Sequence, residues 1–238
     1  MKIHTVLLSV ALLFAQFVQA QTRMKDAGAE KRNVGVFKAL EASLGMKVYL
    51  YSGDEPSVYV SADNPEHIEY IKTEVVDNTL RITVGSINKL PKNLSGLKAY
   101  VTVKDLEKIT AGTGAEVIME DKMDLAALAL NTNTGATVYG KLGEVGKLSA
   151  SLSTGSRIEL EGKAKEVNVD CNLGSKFRAF DLEASRCVAR VHTSGLVEVN
   201  VEDLFSAVAT TGGNIHYKGN ASIQEVQIKT GGSVVSKK

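Results

Sequence analysis

Thr113-Gly114-Ala115-Glu116-Val117, Thr134-Gly135-Ala136-Thr137-Val138 and Thr154-Gly155-Ser156-Arg157-Ile158 are three copies of one short phrase. Each runs from a small polar residue through glycine and a small or polar pair to an apolar residue. Weaker copies follow at Leu173-Gly174-Ser175-Lys176-Phe177, Ser194-Gly195-Leu196-Val197, Thr211-Gly212-Gly213-Asn214-Ile215 and Thr230-Gly231-Gly232-Ser233-Val234. Glycines at 114, 135, 155, 174, 195, 212 and 231 are separated by 21, 20, 19, 21, 17 and 19 residues. Near-copies at a period of about twenty residues mark a stacked-repeat architecture.

The flanks of the third copy say what is stacked. Leu148, Ala150 and Leu152 alternate with serines before the glycine, and Ile158 and Leu160 alternate with charges after it. The fourth unit repeats this with Val167, Val169 and Cys171, then Phe177. Period two on both sides of a turn is the pattern of strands with one buried face. No unit contains an amphipathic helix of useful length, which excludes leucine-rich and helical solenoids. Short strands joined by glycine corners fit one coil of a parallel β-helix, each lap rising about 4.8 Å on the last. The glycines supply positive φ at the corners. The residues before them (Thr113, Thr134, Thr154, Ser194, Thr211 and Thr230) are expected to stack as a hydroxyl ladder. The competing reading is a run of unrelated hairpins with similar turns.

The rest of the chain divides around this repeat. Residues 1–20 read as a secretory signal: Lys2 and His4 form a basic start, Val6 to Val18 is largely apolar, and Val18-Gln19-Ala20 is a small-residue cleavage site. The apolar run is short for a membrane span. The expectation is therefore an exported protein (periplasm, outer surface or secreted) cleaved near Ala20, with no transmembrane segment in the mature chain. Residues 21–33 read as a flexible lead-in, 34–104 as a β-rich cap, and 105–238 as the β-helix repeats. Within the cap, Gly53-Asp54-Glu55-Pro56 turns between two strands, and Asp63-Asn64-Pro65-Glu66 starts a single helical turn. Asp77-Asn78 turns into Leu80, Ile82 and Val84.

These features together resemble a known family. The leader, the Phe37 to Val84 strand pattern and the Thr/Ser-Gly units ending in Tyr217-Lys218-Gly219 are similar to the auto-transporter adhesin head, or GIN domain, family, over roughly residues 34–236. The resemblance implies an all-β, right-handed parallel β-helix on an exported protein. Its motifs are structural glycines rather than catalytic residues. The chain departs from the serine-glycine pattern at Leu173-Gly174 and at Leu196.

Charge narrows the function classes. The leader holds one basic residue and no acid, so removing it leaves 28 − 1 = 27 basic against 27 acidic residues. A balanced surface argues against a nucleic-acid partner, which needs a basic stripe. Cys171 and Cys187 fall in adjacent laps but offset along the strand, which favours two buried free thiols over a disulfide. No cofactor or metal site is expected: His67, His192 and His216 are scattered, and the calcium-binding acidic nonapeptide of β-rolls is missing. Gly140-Lys141-Leu142-Gly143-Glu144-Val145-Gly146-Lys147 lacks the Walker spacing and reads as a lap-to-lap turn.

Three surface sets are candidates for chemistry. Ser151, Asp170 and His192 fall near one column, but aspartate between serine and histidine is the wrong order for a triad. Glu159 with Glu161, and Asp181 with Glu183, share outward faces without a matching cluster, so solvation is the better reading than a paired acid and base. Tyr49, Tyr51 and Tyr59 alternate with Val48, Leu50, Val58 and Val60 across an expected hairpin. Such aromatics could contact sugars or anchor a partner, unless the 63–84 segment covers them. The leading expectation is a non-catalytic exported envelope or surface protein that presents a β-helix face to a glycan or envelope protein. The alternative is a polysaccharide-acting hydrolase or lyase on the same scaffold. The sequence leaves the oligomeric state open.

Overall fold

A computed structural model describes residues 26–85 and 90–237. The leader at 1–20, the start of the lead-in and part of the Ser86–Gly96 loop lie outside the described residues. The first strands are β1 (Glu30–Arg32), β2 (Ala39–Ala42), β3 (Lys47–Ser52), β4 (Ser57–Ser61), β5 (Ile71–Val76), β6 (Thr79–Val84), β7 (Lys98–Val103) and β8 (Lys108–Ala111). The repeat contributes β9 (Glu116–Thr132), β10 (Thr137–Leu152), β11 (Arg157–Cys171), β12 (Lys176–Val191) and β13 (Leu196–Ala209). Three shorter strands close the chain: β14 (Asn214–Lys218), β15 (Ser222–Ile228) and β16 (Ser233–Ser236). One 3-10 turn, Pro65–Tyr70, starts at an Asn64 cap whose side chain accepts the Glu66 amide, as the sequence predicts.

Strands β9 to β13 lie side by side in chain order, each parallel to the next. They build a β-solenoid of about six turns with laps near twenty residues. The period-two pattern puts like on like. Val117, Val138, Ile158, Phe177, Val197 and Ile215 occupy one register column, all fully buried. Leu128, Leu148, Val167, Cys187 and Phe205 form a second. Burying each such side chain contributes about 1.5–3 kcal/mol before entropy is charged against it. The long strands stay continuous through a second bend by bulging, with register shifts between Lys141 and Glu144, Glu159 and Glu161, and Ala179 and Glu183. The glycine-rich Gly140–Lys147 stretch is therefore a bulged bend inside β10, not a turn between laps. At Gly146 a Cβ would sit 2.4 Å from the Ala126 carbonyl oxygen, so the close neighbouring lap demands glycine.

The glycine corners are stacked in a column, and their geometry differs from the expectation in two ways. Each is a tight turn with two consecutive left-handed residues, as at Thr113 (φ 47°) and Gly114 (φ 71°), closed by the Ala115 amide on the Gly112 carbonyl at 3.1 Å. The ladder along the column is made by backbone, not by threonine hydroxyls, which face solvent. The amides of Gly45, Gly114, Gly135, Gly155 and Gly174 donate to the carbonyls of Thr113, Thr134, Thr154, Leu173 and Thr193, at 2.9–3.0 Å. Second, Gly195 is not a corner residue: Thr193 (φ 47°) and Ser194 (φ 60°) take the left-handed pair, and Gly195 falls in the buried position behind it. With Ser194 as the corner, the steps become 21, 20, 19, 20, 18 and 19. An eighth corner, Leu44-Gly45, stands beneath the column.

Hydroxyls do line the column on its inner side. Ser156 and Ser175, just behind their corner glycines, are buried. The Ser156 hydroxyl donates to the Thr132 carbonyl at 3.1 Å and accepts the Ser153 amide at 3.2 Å. Cys171 and Cys187 are free and buried. Cys187 is opposite Val167, and Cys171 is opposite Val191. Their offset of four positions is about 13 Å of strand, far beyond disulfide reach.

The amino-terminal part is less simple than a cap laid below the repeats. β3 lies between β7 and β9, and β2 between β6 and β8, all parallel. The lap 39–52 is thus inserted above the later lap formed by β6 and β7. Antiparallel β4 and β5 then close the end. The lead-in also contributes structure: β1 pairs antiparallel with β4. Among the described residues no helix is long and apolar enough to cross a membrane.

Candidate functional site

Because laps stack in register, one outward position per lap becomes a column up the flank. The position four residues after each corner gives Tyr49, Ile118, Tyr139, Glu159, Arg178, Glu198, His216 and Val235. All eight are register partners of one another in that order. Below Tyr49 the column continues through Tyr100 and Tyr59 to Lys31. The result is one file of side chains across eleven strands, aromatic toward the amino-terminal end and ionic toward the other.

The three tyrosines singled out from sequence divide here. Tyr49 and Tyr59 share the file but are not hairpin partners, because β7 runs between β3 and β4 and places Tyr100 between them. The sequence offered no cue for that insertion, since β7 is about fifty residues downstream of β3. Tyr51 points to the same side one step along β3 and is buried. The 63–84 segment does not roof the file: β6 extends the neighbouring face beside β2, and Tyr49 and Tyr59 remain half-exposed. Tyr49 and Tyr100 stack ring on ring, 5.3 Å between centroids and 9° from parallel. Tyr100 is the buried member of the pair, its hydroxyl bonded to Asp26, whereas Tyr49 stays half-exposed at the surface. The Lys47 ammonium lies 5.6 Å from the Tyr49 centroid and pairs with Glu116 at 3.3 Å. Burial and the Asp26 carboxylate push the Tyr100 phenol well above its usual range, so it stays a neutral donor.

Beyond Tyr139 the flank opens into a groove of about 440 Å³ beside the bulged bend. Tyr139 and Phe180 give it aromatic walls, and Lys141, Glu161, Arg178 and Asp181 are among its charged lining. Phe180, Tyr139, Tyr100 and Arg178 were not singled out from sequence. Counting four residues from each corner would have found Tyr139 and Arg178.

The carboxylates of this flank are interleaved with cations. Glu159 pairs with Arg157 at 3.2 Å and Arg178 at 3.7 Å, Arg178 also reaches Glu198 at 3.5 Å, and Lys141 meets Glu161 at 3.6 Å. Glu161 and Asp181 do face each other in register across β11 and β12, but Lys141 lies against Glu161, so this acid-by-acid pair carries a cation beside it rather than standing as the bare carboxyl pair of general-acid chemistry. The Ser151, Asp170, His192 set also comes apart. Asp170 is flanked in register by Ser151 and Arg190, while His192 enters the corner, its Nδ1 2.8 Å from the Thr210 hydroxyl. Among the described residues no group of three or more His, Cys, Asp or Glu is placed to hold a metal ion.

Fold and flank define a class: a β-solenoid whose long ordered sides, rather than an enclosed pocket, carry its distinctive side chains. The chain belongs to the family described as "Putative auto-transporter adhesin, head GIN domain", whose model matches residues 36–221. Three solved structures share the fold. A "putative adhesin" from Bacteroides fragilis is 20% identical with a TM-score of 0.78, covering 87% of this chain and 95% of that one. A "putative adhesin" from Parabacteroides distasonis is 21% identical at 0.72, covering 88% and 96%. A "Putative lipid binding protein" from the same species is 19% identical at 0.67, with the same coverage. No curated protein matches the sequence.

Proposed function

We propose that this chain is an exported bacterial envelope or surface protein that binds a glycan or an envelope protein along the solenoid flank and performs no chemical step. The observation that carries the reading is the single file from Tyr59 through Tyr100 and Tyr49 to Tyr139, opening into the groove walled by Tyr139 and Phe180. Ladder spacing of about 4.8 Å sets the half-exposed Tyr59, Tyr49 and Tyr139, with Tyr100 buried and Ile118 between them, and the charged groups beyond, along one line for an extended ligand. The adhesin description of the family supports the same direction. The interleaved ion pairs favour binding over polysaccharide hydrolysis or lysis, because neutralised carboxylates make a poor acid and base pair.

A glycan array probed beside an extract of envelope proteins tests this. Tyr139→Ala and Tyr49→Ala should each weaken the captured interaction about tenfold, the loss of a well-placed aromatic contact. Binding indifferent to both substitutions, or depolymerisation of a polysaccharide by the purified protein, would refute the proposal.

A further inference from the structure

The two ends of the solenoid are finished differently. At the amino-terminal end, antiparallel β4 and β5 close the stack and the outer strand β1 is three charged residues long, a poor template for further pairing. At the other end β15 pairs with β13 on one side, and among the described residues no strand pairs with its other edge. Its inward residues Ile223, Val226 and Ile228 stand over Phe205, Ala207 and Ala209. Those three below are fully buried, whereas Ile223, Val226 and Ile228 are 47%, 41% and 51% exposed. β16 covers the β14 side of this last lap, so among the described residues the core is open along the β15 side, with seven exposed strand residues on its rim.

We propose that this rim is a self-association surface, where two copies join β15 to β15 antiparallel about a twofold axis through Gln227. The argument is the strand's own symmetry. Lys229 turns its amide to the Ala209 carbonyl at 2.9 Å, so by strand alternation the amides and carbonyls of Val226 and Ile228 face the open edge. Centred on Gln227, Val226 of one copy meets Ile228 of the other, and these two exchange both backbone hydrogen bonds. The same register sets Glu225 against Lys229 twice, once on each side of the axis. Centring on Glu225 instead would oppose that carboxylate to itself. The joined rods share one continuous sheet, and the open core of each is covered by the other.

Charge exchange tests the pairing without touching the core. Light scattering over a concentration series should return twice the chain mass. Glu225→Lys and Lys229→Glu should each raise the dimer dissociation constant about tenfold, and the double exchange E225K/K229E should restore it. Gln227→Cys should also give an intermolecular disulfide, because facing residues of a non-hydrogen-bonded pair lie about 4.5 Å apart, within disulfide range. A protein that stays monomeric through the series overturns the proposal. So does a dimer that neither single exchange weakens, or one that Gln227→Cys fails to cross-link.

Discussion

Ser194 donates its amide to the Thr211 carbonyl at 3.1 Å from a left-handed backbone, φ 60°, in the place where neighbouring laps use glycine. Serine pays a steric cost there of about 1–2 kcal/mol, because its Cβ crowds the following carbonyl. The adjacent glycine is spared that conformation but is held to its size: a Cβ on Gly195 would lie 3.0 Å from Val191 Cγ1 and 3.1 Å from the Cys171 carbonyl oxygen. Ser194→Gly should therefore stabilise the fold by about 0.5–1 kcal/mol, the relief being partly offset by chain entropy. Gly195→Ala should destabilise it. Thermal melts of the two variants check this, and a Ser194→Gly protein that melts below wild type would refute the corner assignment.

Glycines in the repeat answer to two separate causes, and substitution separates them. Gly155 is left-handed at φ 69°, and a Cβ there would meet nothing within 4 Å, so Gly155→Ala costs only backbone strain, about 1 kcal/mol. Gly213 sits in the inner column, where a Cβ would lie 2.7 Å from Val191 Cγ1 and 3.0 Å from the Thr210 carbonyl oxygen. Gly213→Ala must displace packed atoms and should cost about 2–3 kcal/mol. Denaturant melts that rank the two in the opposite order would overturn this division.

The repeat was legible because stacking makes one lap's requirement the next lap's too. Threonine-glycine corners and alternating apolar residues recur for the same reason that Val138, Ile158 and Phe177 share a column. What escaped reading was whatever does not recur. Ser194 could pass for the residue before a corner because Gly195 follows it, although packing rather than φ selects that glycine. Leu44-Gly45 stands sixty-nine residues before Gly114 in sequence yet directly beneath it, because the lap 39–52 is inserted out of order. The tyrosine file was half visible for the same reason. Tyr49 and Tyr59 read as a hairpin pair, and Tyr100 entered between them only through tertiary pairing.

The buried thiols should be silent in the native protein. Burial pushes the Cys187 thiol up to about 12, and burial also raises Cys171 against the opposing hydrogen bond from Ser175. The thiolate is the reactive form, so neither should label with a thiol reagent at neutral pH until denaturant is added. A folded-state value above the unfolded one leaves stability intact below about 9 and erodes it as pH climbs from there toward 12, since only the unfolded thiol ionises freely. Cys187→Ala should flatten part of that alkaline loss. Rapid labelling of the native protein would refute the assignment.

Asp26 ties the first described residues to the solenoid. Its carboxylate accepts the Ser61 hydroxyl at 2.6 Å and the Lys98 ammonium at 3.3 Å. The Ser61 bond, then those from Tyr100 and Lys98, hold the carboxyl below its usual value of 3.8 in spite of burial. A depressed carboxyl contributes stability that is present above 3.8 and is lost as pH falls through the lower folded-state value. The effect should be local, because among the described residues β1 pairs with β4 alone and opens without the core. Asp26→Asn should speed amide exchange of Glu30–Arg32 about fivefold, the loss of about 1 kcal/mol of charged hydrogen bonding, and leave the β10 and β11 amides unchanged. The difference between variant and wild type should shrink as pH falls below 3.8, because protonation makes the native carboxyl neutral as well. Equal exchange of β1 in both proteins at neutral pH would show that this latch does not hold the strand.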